Sequence, residues 1–505
     1  MLSRRLLNRG GHWRPLLTTT TTNPAARAPR GLRFNSSGGG GGSGPRSSAA
    51  IPTSFGLAAG AGLSWAYTEW SGRSSGAASS SKPATTTNRV PNLDDDQARE
   101  GWRADEIKYA PAPSSKDVTA MLNEGASSYS AGAVGGVANY DVAQLASNSP
   151  TEDAYVHGRF ASPLGGEDWM AWAVFDGHCG RQTSKLLTKQ LMPFVQKALR
   201  DIGNKNPTDG DIQQALQTAF TKLDDMLVTS AKETIEGTHS FPEKIRRLEP
   251  AFAGSCALLA LYNPSTKSLH IASTGDCRAI VGSKDANNSN TWTASFETVD
   301  QTGANEDEKA RIQAQFPDEP QILAGGRIWG MQPARTFGDG GWKWDKDLRA
   351  RLRREYNAAA LPSSVRYSGY KTGPYLTALP VVTTVQLPQA PSFMILATDG
   401  LWDTMSSEEA VDLVGRWCDK KQDPKLRSVS NASTSTPTVF GDIACRYDSD
   451  FSTFQDRNAA VHLMRNGLGG NRDELLRAAL AFTSPAARYI RDDMTVQVVF
   501  FGDNK

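Results

Sequence analysis

A chain of 505 residues has room for one large domain with a substantial core plus extensions, and with Lys+Arg 55 against Asp+Glu 53 its formal net charge of +2 carries no polyanion footprint. Nucleic acid is therefore not expected as a partner. Cys179, Cys256, Cys277, Cys418 and Cys445 are scattered, odd in number and free of Cys-x-x-Cys spacing, which excludes a disulfide framework or zinc knuckle and reads as buried, reduced thiols.

From Met1 to Tyr67 there is no Asp or Glu, whereas Arg4, Arg5, Arg9, Arg14, Arg27, Arg30, Arg33 and Arg46 recur among Leu, Ser and Thr. That is a transit-peptide composition, assigned to residues 1–50, and it predicts a mitochondrial protein of the matrix or inner membrane. A disordered basic tail is the bland alternative. Ile51 to Tyr67 is uncharged and rich in small residues, and at about seventeen residues it sits at the short limit for crossing hydrocarbon. Residues 51–70 are thus a candidate inner-membrane anchor or sorting segment, with a short packed helix or linker as the alternative. The Ser/Thr/Ala tract from Ser71 to Thr87 cannot bury apolar surface, so residues 71–115 read as a flexible linker and 116–505 as the folded domain.

Within that domain, Asp117 to Glu124 predicts a short helix, followed by a glycine-rich loop and a first strand at Tyr140 to Leu145. Met170 to Phe175 reads as a buried strand. Leu186, Leu187, Leu191, Phe194, Val195 and Leu199 form a helical stripe over Gln182 to Leu199, and Ile212, Leu216, Phe220, Leu223 and Leu227 form another from Asp209, with Thr208 or Asp209 as N-cap. Phe252 to Tyr262 and Ser268 to Thr274 read as a hairpin, with a further strand at Arg278 to Val281. Gly340 to Tyr370, charged and helix-prone, and Asp419 to Thr438, a Lys/Ser/Thr-rich loop, look like insertions. The basic run from Lys343 to Arg354 reads as a solvated helix face, with an acidic partner as the alternative. Hairpins alternating with helix pairs predict an α+β fold, two antiparallel sheets packed face to face with helices outside.

Four acidic motifs punctuate this pattern: Glu152-Asp153, Asp176-Gly177-His178, Asp399-Gly400-Leu401-Trp402-Asp403 and Asp492-Asp493. The last three lie at the edges of the apolar runs Met170 to Phe175, Ser392 to Thr398 and Thr495 to Phe501, so strand ends offer three carboxylates. An isolated Asp-Gly is usually a plain turn. Several carboxylates brought within a few ångströms, however, repel strongly enough to require a neutralising cation. Hard oxygen donors without paired His or Cys point to Mg²⁺ or Mn²⁺, and this arrangement suits a binuclear site.

In order, Glu152-Asp153, Phe175-Asp176-Gly177-His178, Gly275-Asp276-Cys277-Arg278, Arg335-Thr336-Phe337-Gly338-Asp339, Ala397-Thr398-Asp399-Gly400 and Arg491-Asp492-Asp493-Met494-Thr495 resemble the metal-dependent serine/threonine protein phosphatases of the 2C type, from about Gly135 to the C-terminus. Asn148 to Asp153, Phe337 to Trp344, Pro374 to Pro380 and Asn458 to Arg465 look like the mitochondrial pyruvate dehydrogenase phosphatase branch. The resemblance implies a four-layer sandwich and two Mg²⁺ or Mn²⁺ ions. Asp176 would bridge them, and the Gly177 carbonyl, Asp399, Asp492 and Asp153 would belong to the metal set. Glu152, Asp276, Asp403 and Asp493 would stand behind these ligands or form a third, weaker metal position. His178 is expected to be the general acid. Asp339 is expected to hydrogen-bond a turn near the site or to support the ligands.

Asn148 stands on the phosphate side where many family members have arginine, and the pyruvate dehydrogenase phosphatase branch also has asparagine there. The implied substrate is a phosphoprotein, the alpha subunit of the pyruvate dehydrogenase complex first among candidates. Alternatives are the same chemistry on another mitochondrial phosphoprotein, or a phosphatase fold reduced to a binding module. Inner-membrane anchoring would run through residues 51–67. Cys179 has no explanation in the sequence.

Overall fold

The computed structural model describes residues 113–131, 134–204, 206–284, 291–356, 370–388, 390–422 and 445–502. The expected transit region, the 51–67 segment and nearly all of the expected linker lie outside the described residues, among which no helix is long and apolar enough to cross a membrane.

Two antiparallel sheets form the centre. The first has six strands in spatial order β1 (Ser127–Ser130), β2 (Val137–Leu145), β16 (Met494–Phe501), β15 (Ser392–Ala397), β9 (Arg278–Lys284) and β10 (Trp292–Glu297). The second has five: β14 (Val381–Gln386), β8 (Ser268–Thr274), β7 (Ala257–Asn263), β4 (Trp169–Phe175) and β3 (Ala154–Phe160). Three two-residue strands, β5 (Gly177–His178), β6 (Gly254–Ser255) and β13 (Phe337–Gly338), make a small third sheet, and β11 (Leu323–Ala324) pairs with β12 (Arg327–Ile328).

The strand period of two explains the layering. Met170, Trp172 and Val174 of β4 face Met394 and Leu396 of β15 in a core between the sheets, with Leu258, Ala260 and Tyr262 of β7. The alternate residues of β4, Trp169, Ala171, Ala173 and Phe175, turn outward onto α2 (Gln182–Asp201) and α3 (Asp209–Glu236). Phe393, Ile395 and Ala397 of β15 turn the opposite way, onto α1 (Ser115–Glu124), α9 (Ser407–Gln422), α10 (Ala459–Gly467) and α11 (Asp473–Ala481). Helices, sheet, sheet, helices: the expected four-layer α+β sandwich is present. The remaining helices are α4 (Phe241–Phe252), α5 (Glu306–Gln315), α6 (Gly340–Lys343), α7 (Lys346–Tyr356) and α8 (Asp399–Trp402).

Local chemistry accounts for several boundaries. Thr208 caps α3 in a reciprocal box with Asp211, as its position predicts, and Ser114 does the same for α1 with Asp117. Other boundaries need correction. Phe252 ends helix α4 instead of opening a strand; Pro242 and Pro250 disguise that helix, although proline is accommodated in a first turn. The expected glycine-rich loop contains β1, which pairs with β2. Asp419 belongs to α9, and the rest of the expected loop after Gln422 lies outside the described residues. Lys343 leaves the basic run altogether. It is buried, its ammonium 2.7 Å from both Asp224 Oδ2 and the Thr336 carbonyl, while Asp224 Oδ1 accepts from Gly338 N at 2.9 Å. This buried pair ties the 336–339 turn to α3.

His462, on α10, is fully buried between the Leu413 carbonyl, 3.3 Å from Nε2, and Asn466 Nδ2, 3.1 Å from Nδ1. One ring nitrogen donates and the other accepts, so the site holds neutral imidazole. Burial depresses its pKa from 6.5 to about 3. The unfolded chain therefore takes up a proton that the folded chain refuses, and this contribution to stability is complete above about pH 6.5 and is lost progressively as pH falls towards 3. Between pH 7 and 5 it should cost about 2 kcal/mol. In urea denaturation, the stability gap between wild type and His462→Asn should narrow by about that amount over this pH interval; a gap independent of pH would refute the neutral assignment.

Candidate metal centre

The acidic motifs meet where the two sheets bring their strand ends together. β4 ends at Phe175 and delivers Asp176; β15 ends at Ala397 and is followed by Thr398 and Asp399 at the start of α8; Asp276 lies between β8 and β9. One carboxylate oxygen from each of Asp176, Asp276 and Asp399 lies within 4.8 Å of the other two. Burial, and then the charges of Asp399, Asp153, Asp492 and Asp276, hold the Asp176 carboxyl well above its ordinary range. Asp399 is raised by burial and then by Asp276, Asp492 and Asp403, and Asp276 by burial foremost.

Among the described residues no lysine, arginine or histidine forms an ion pair with any of these three; Asp276 accepts only the weak thiol donor of Cys256, at 3.1 Å. Carboxylates this close, without a cationic side chain paired to them among the described residues, fit a divalent ion with oxygen ligands.

Asp153, just before β3, is 1% exposed and points inward, where its Oδ2 accepts from Thr398 Oγ1 at 2.9 Å and Thr495 Oγ1 at 2.7 Å. Burial and the nearby Asp493 raise its pKa well above normal. Glu152 is also raised by burial, and its Oε1 accepts from Gly180 N at 2.7 Å. Gly177 is crowded: a Cβ there would lie 2.2 Å from the Glu152 carbonyl, so the close packing of β5 on the 152 loop requires glycine.

Asp492 and Asp493 are adjacent but serve opposite sides. Asp492 contributes to the field on Asp176 and Asp399, and burial raises its own pKa to about 6 against the opposing charge of Arg488, with which it forms an ion pair. Asp493 turns away. Its carboxylate accepts from Ser147 N (2.6 Å), Asn148 N (2.9 Å), Asn148 Nδ2 (3.1 Å) and Glu152 N (2.8 Å), so it fastens the 147–152 loop to the start of β16. The Asn148 amide is thereby engaged with Asp493. Asp403 lies exposed just after α8, its pKa raised by burial of the carboxyl and lowered by Arg488.

His178 Nε2 sits 2.8 Å from Asp339 Oδ2, across the small sheet that joins β5, β6 and β13. Asp339 is fully buried with a left-handed backbone, φ 47°. Gly254 of β6 lies beneath the pair, where a Cβ would come within 2.1 Å of His178 Nε2 and 2.2 Å of Asp339 Oδ2. Burial alone would push the imidazole pKa down, but the adjoining Asp339 carboxylate outweighs it and holds His178 above its usual value. Cys179 follows in an exposed turn with φ 57° and makes no contact that explains it.

Residues 145–435 match the family described as Protein phosphatase 2C. The chain belongs to the protein phosphatase 2C family. It is accordingly a metal-dependent protein serine/threonine phosphatase, of a family that uses Mg²⁺ or Mn²⁺. This phosphatase is 37% identical to a protein phosphatase 2C homolog of Schizosaccharomyces pombe over 73% of its own length and 81% of the relative's. It is 35% identical to the protein named mitochondrial pyruvate dehydrogenase (acetyl-transferring) phosphatase 1 of Saccharomyces cerevisiae, over 73% of this chain and 69% of that one. The Homo sapiens protein of the same name is 31% identical over 70% of this chain and 66% of the relative.

Sequence reasoning gave no role to Thr398, Thr495 or Arg488. The two threonines sit inside the Ala-Thr-Asp-Gly and Asp-Asp-Met-Thr motifs, Thr398 directly before the proposed ligand Asp399 and Thr495 three residues after Asp492, and that proximity was the available signal. Arg488 stands four residues before Asp492, a spacing that places side chains together on a helical turn.

Proposed function

We propose that this phosphatase hydrolyses phosphoserine on a mitochondrial protein, the alpha subunit of pyruvate dehydrogenase first among candidates, with two ions held by Asp153, Asp176, the Gly177 carbonyl, Asp399 and Asp492. Asp276 offers a third position. The observation that carries the chemistry is the close trio of Asp176, Asp276 and Asp399, Asp276 buried and the other two partly so, with which no cationic side chain among the described residues forms an ion pair. The substrate and the mitochondrial address rest on the relatives named as mitochondrial pyruvate dehydrogenase phosphatases. The acid-free, arginine-rich N-terminus agrees with that address.

When bound, the ions supply Lewis-acid stabilisation of phosphoryl charge and lower the pKa of a water. The chain's own residues do the positioning. Thr398 and Thr495 fix the rotamer of Asp153, and Asp493 holds the 147–152 loop so that Glu152 and Asp153 face the centre. Asp339 holds the His178 ring through Nε2, leaving Nδ1 to give a proton to the departing seryl oxygen.

The substrate is tested in cells that lack the protein. The pyruvate dehydrogenase alpha subunit should be hyperphosphorylated and pyruvate oxidation slowed, with wild type but not Asp176→Ala restoring both. Unchanged alpha-subunit phosphorylation, alongside robust Mg²⁺-dependent activity on a different mitochondrial phosphoprotein, would retain the enzyme and discard the substrate.

A further inference from the structure

An acidic centre of this kind repels a phosphate dianion, and bound cations would offset that repulsion without supplying hydrogen-bond donors. The outer oxygens of the phosphoryl group still need donors, and a guanidinium supplies two in parallel. The basic groups around the site differ in what they can offer. Arg278 spends its Nε and Nη2 on Asp300 and its Nη1 on Ser407. Arg491 is buried, with its guanidinium donating to the Ala146, Ala479 and Phe482 carbonyls. Lys343 is sealed against Asp224. Asn148 carries no charge, and its amide is held by Asp493.

Arg488 is different. Its backbone lies in the tight turn Ala486–Tyr489, anchored by fully buried Ala487, whose carbonyl accepts from both Ile490 N and Arg491 N at 2.9 Å. The turn is held by these bonds, yet the arginine side chain is 53% exposed. Its Nη2 meets Asp492 Oδ2, so the guanidinium stands beside a carboxylate whose charge acts on Asp176 and Asp399, and its own charge also lowers the pKa of Asp403. Among the described residues Asp492 is its one ion-pair partner. A guanidinium has five N–H donors in a fixed fork, and the ion pair with Asp492 runs through Nη2.

We propose that Arg488 is the phosphoryl-binding residue of this centre, its guanidinium fork donating to the non-bridging oxygens of the substrate phosphate while Asp492 holds it in place. The proposal rests on the phosphatase reading above and adds to it the side chain that grips the phosphate.

The test uses full-length, Mg²⁺-loaded enzyme as wild type, Arg488→Ala and Arg488→Lys. A phosphoserine peptide gives KM and kcat, inorganic phosphate gives a competitive inhibition constant, and calorimetry gives Mg²⁺ affinity. For Arg488→Ala, KM and the phosphate inhibition constant should both rise about tenfold or more, the scale of a lost charged hydrogen bond. Its kcat should stay within about threefold, and any change in Mg²⁺ affinity through Asp492 should be smaller than the rise in the phosphate inhibition constant. Arg488→Lys, which keeps the charge and loses the fork, should fall between.

An unchanged phosphate inhibition constant in both variants would overturn the proposal. So would a change confined to Mg²⁺ affinity, which would mean that Arg488 acts only on Asp492. If Arg488→Ala melts early, Arg488→Lys at wild-type melting temperature decides, with at least about a threefold rise required. Absence of Mg²⁺-dependent hydrolysis in the wild type would instead sink the phosphatase reading itself.

Discussion

Asp176→Ala is expected to lower Mg²⁺-dependent hydrolysis of a phosphoserine peptide by about 10³-fold or more, because it removes a proposed ligand from a centre where a bound ion would supply several kcal/mol of charge stabilisation. Stability should move the other way in the absence of metal. The Asp176 carboxyl is buried among Asp399, Asp153, Asp492 and Asp276, and these neighbours raise its pKa, so deleting it relieves repulsion and need not weaken the fold. In EDTA the variant should melt no earlier than wild type. Adding Mg²⁺ should raise the melting temperature of the wild type, through binding to the folded state alone, and do so far less for the variant. Asp176→Asn, which keeps the shape without the charge, should behave alike. Near-normal hydrolysis by either variant would remove Asp176 from the metal centre.

The layers of this fold were readable because both strand and helix periods are clean where burial is complete. β4 alternates between two cores, and the stripes of α2 and α3 cover its outer face. Elements whose burial is partial or whose residues send mixed signals were hidden: α4 carries two prolines, β1 is a short, mostly exposed edge strand, and β3 contains Gly158. At the site, carboxylates at strand ends were visible as a pattern, but the direction of each side chain was not. Asp492 and Asp493 look equivalent in sequence, yet the alternation of an entering strand sends one to the centre and the other to the 147–152 loop. The pairing of His178 with Asp339 spans 161 residues and depends on β6 lying between β5 and β13, for which no local signal exists.

That pairing gives His178 a role that can be separated from metal binding. His178→Ala should slow hydrolysis of a phosphoserine peptide by roughly 10²-fold or more, the usual worth of a general acid, and should cost much less with an aryl phosphate, whose leaving group departs without a proton. Asp339→Asn should show the same selectivity at smaller size, roughly tenfold on the peptide, since the ring is still present but loses the carboxylate that orients it and holds its pKa up. The contrast between leaving groups is what a merely structural role would not produce. A mutation that only loosened the fold or weakened the metal site would slow both substrates alike, because each passes through the same charge-stabilising centre. Equal losses on peptide and aryl phosphate for His178→Ala would therefore remove the imidazole from proton transfer. A loss confined to the peptide in both variants would tie the buried Asp339 to the proton that the departing serine receives.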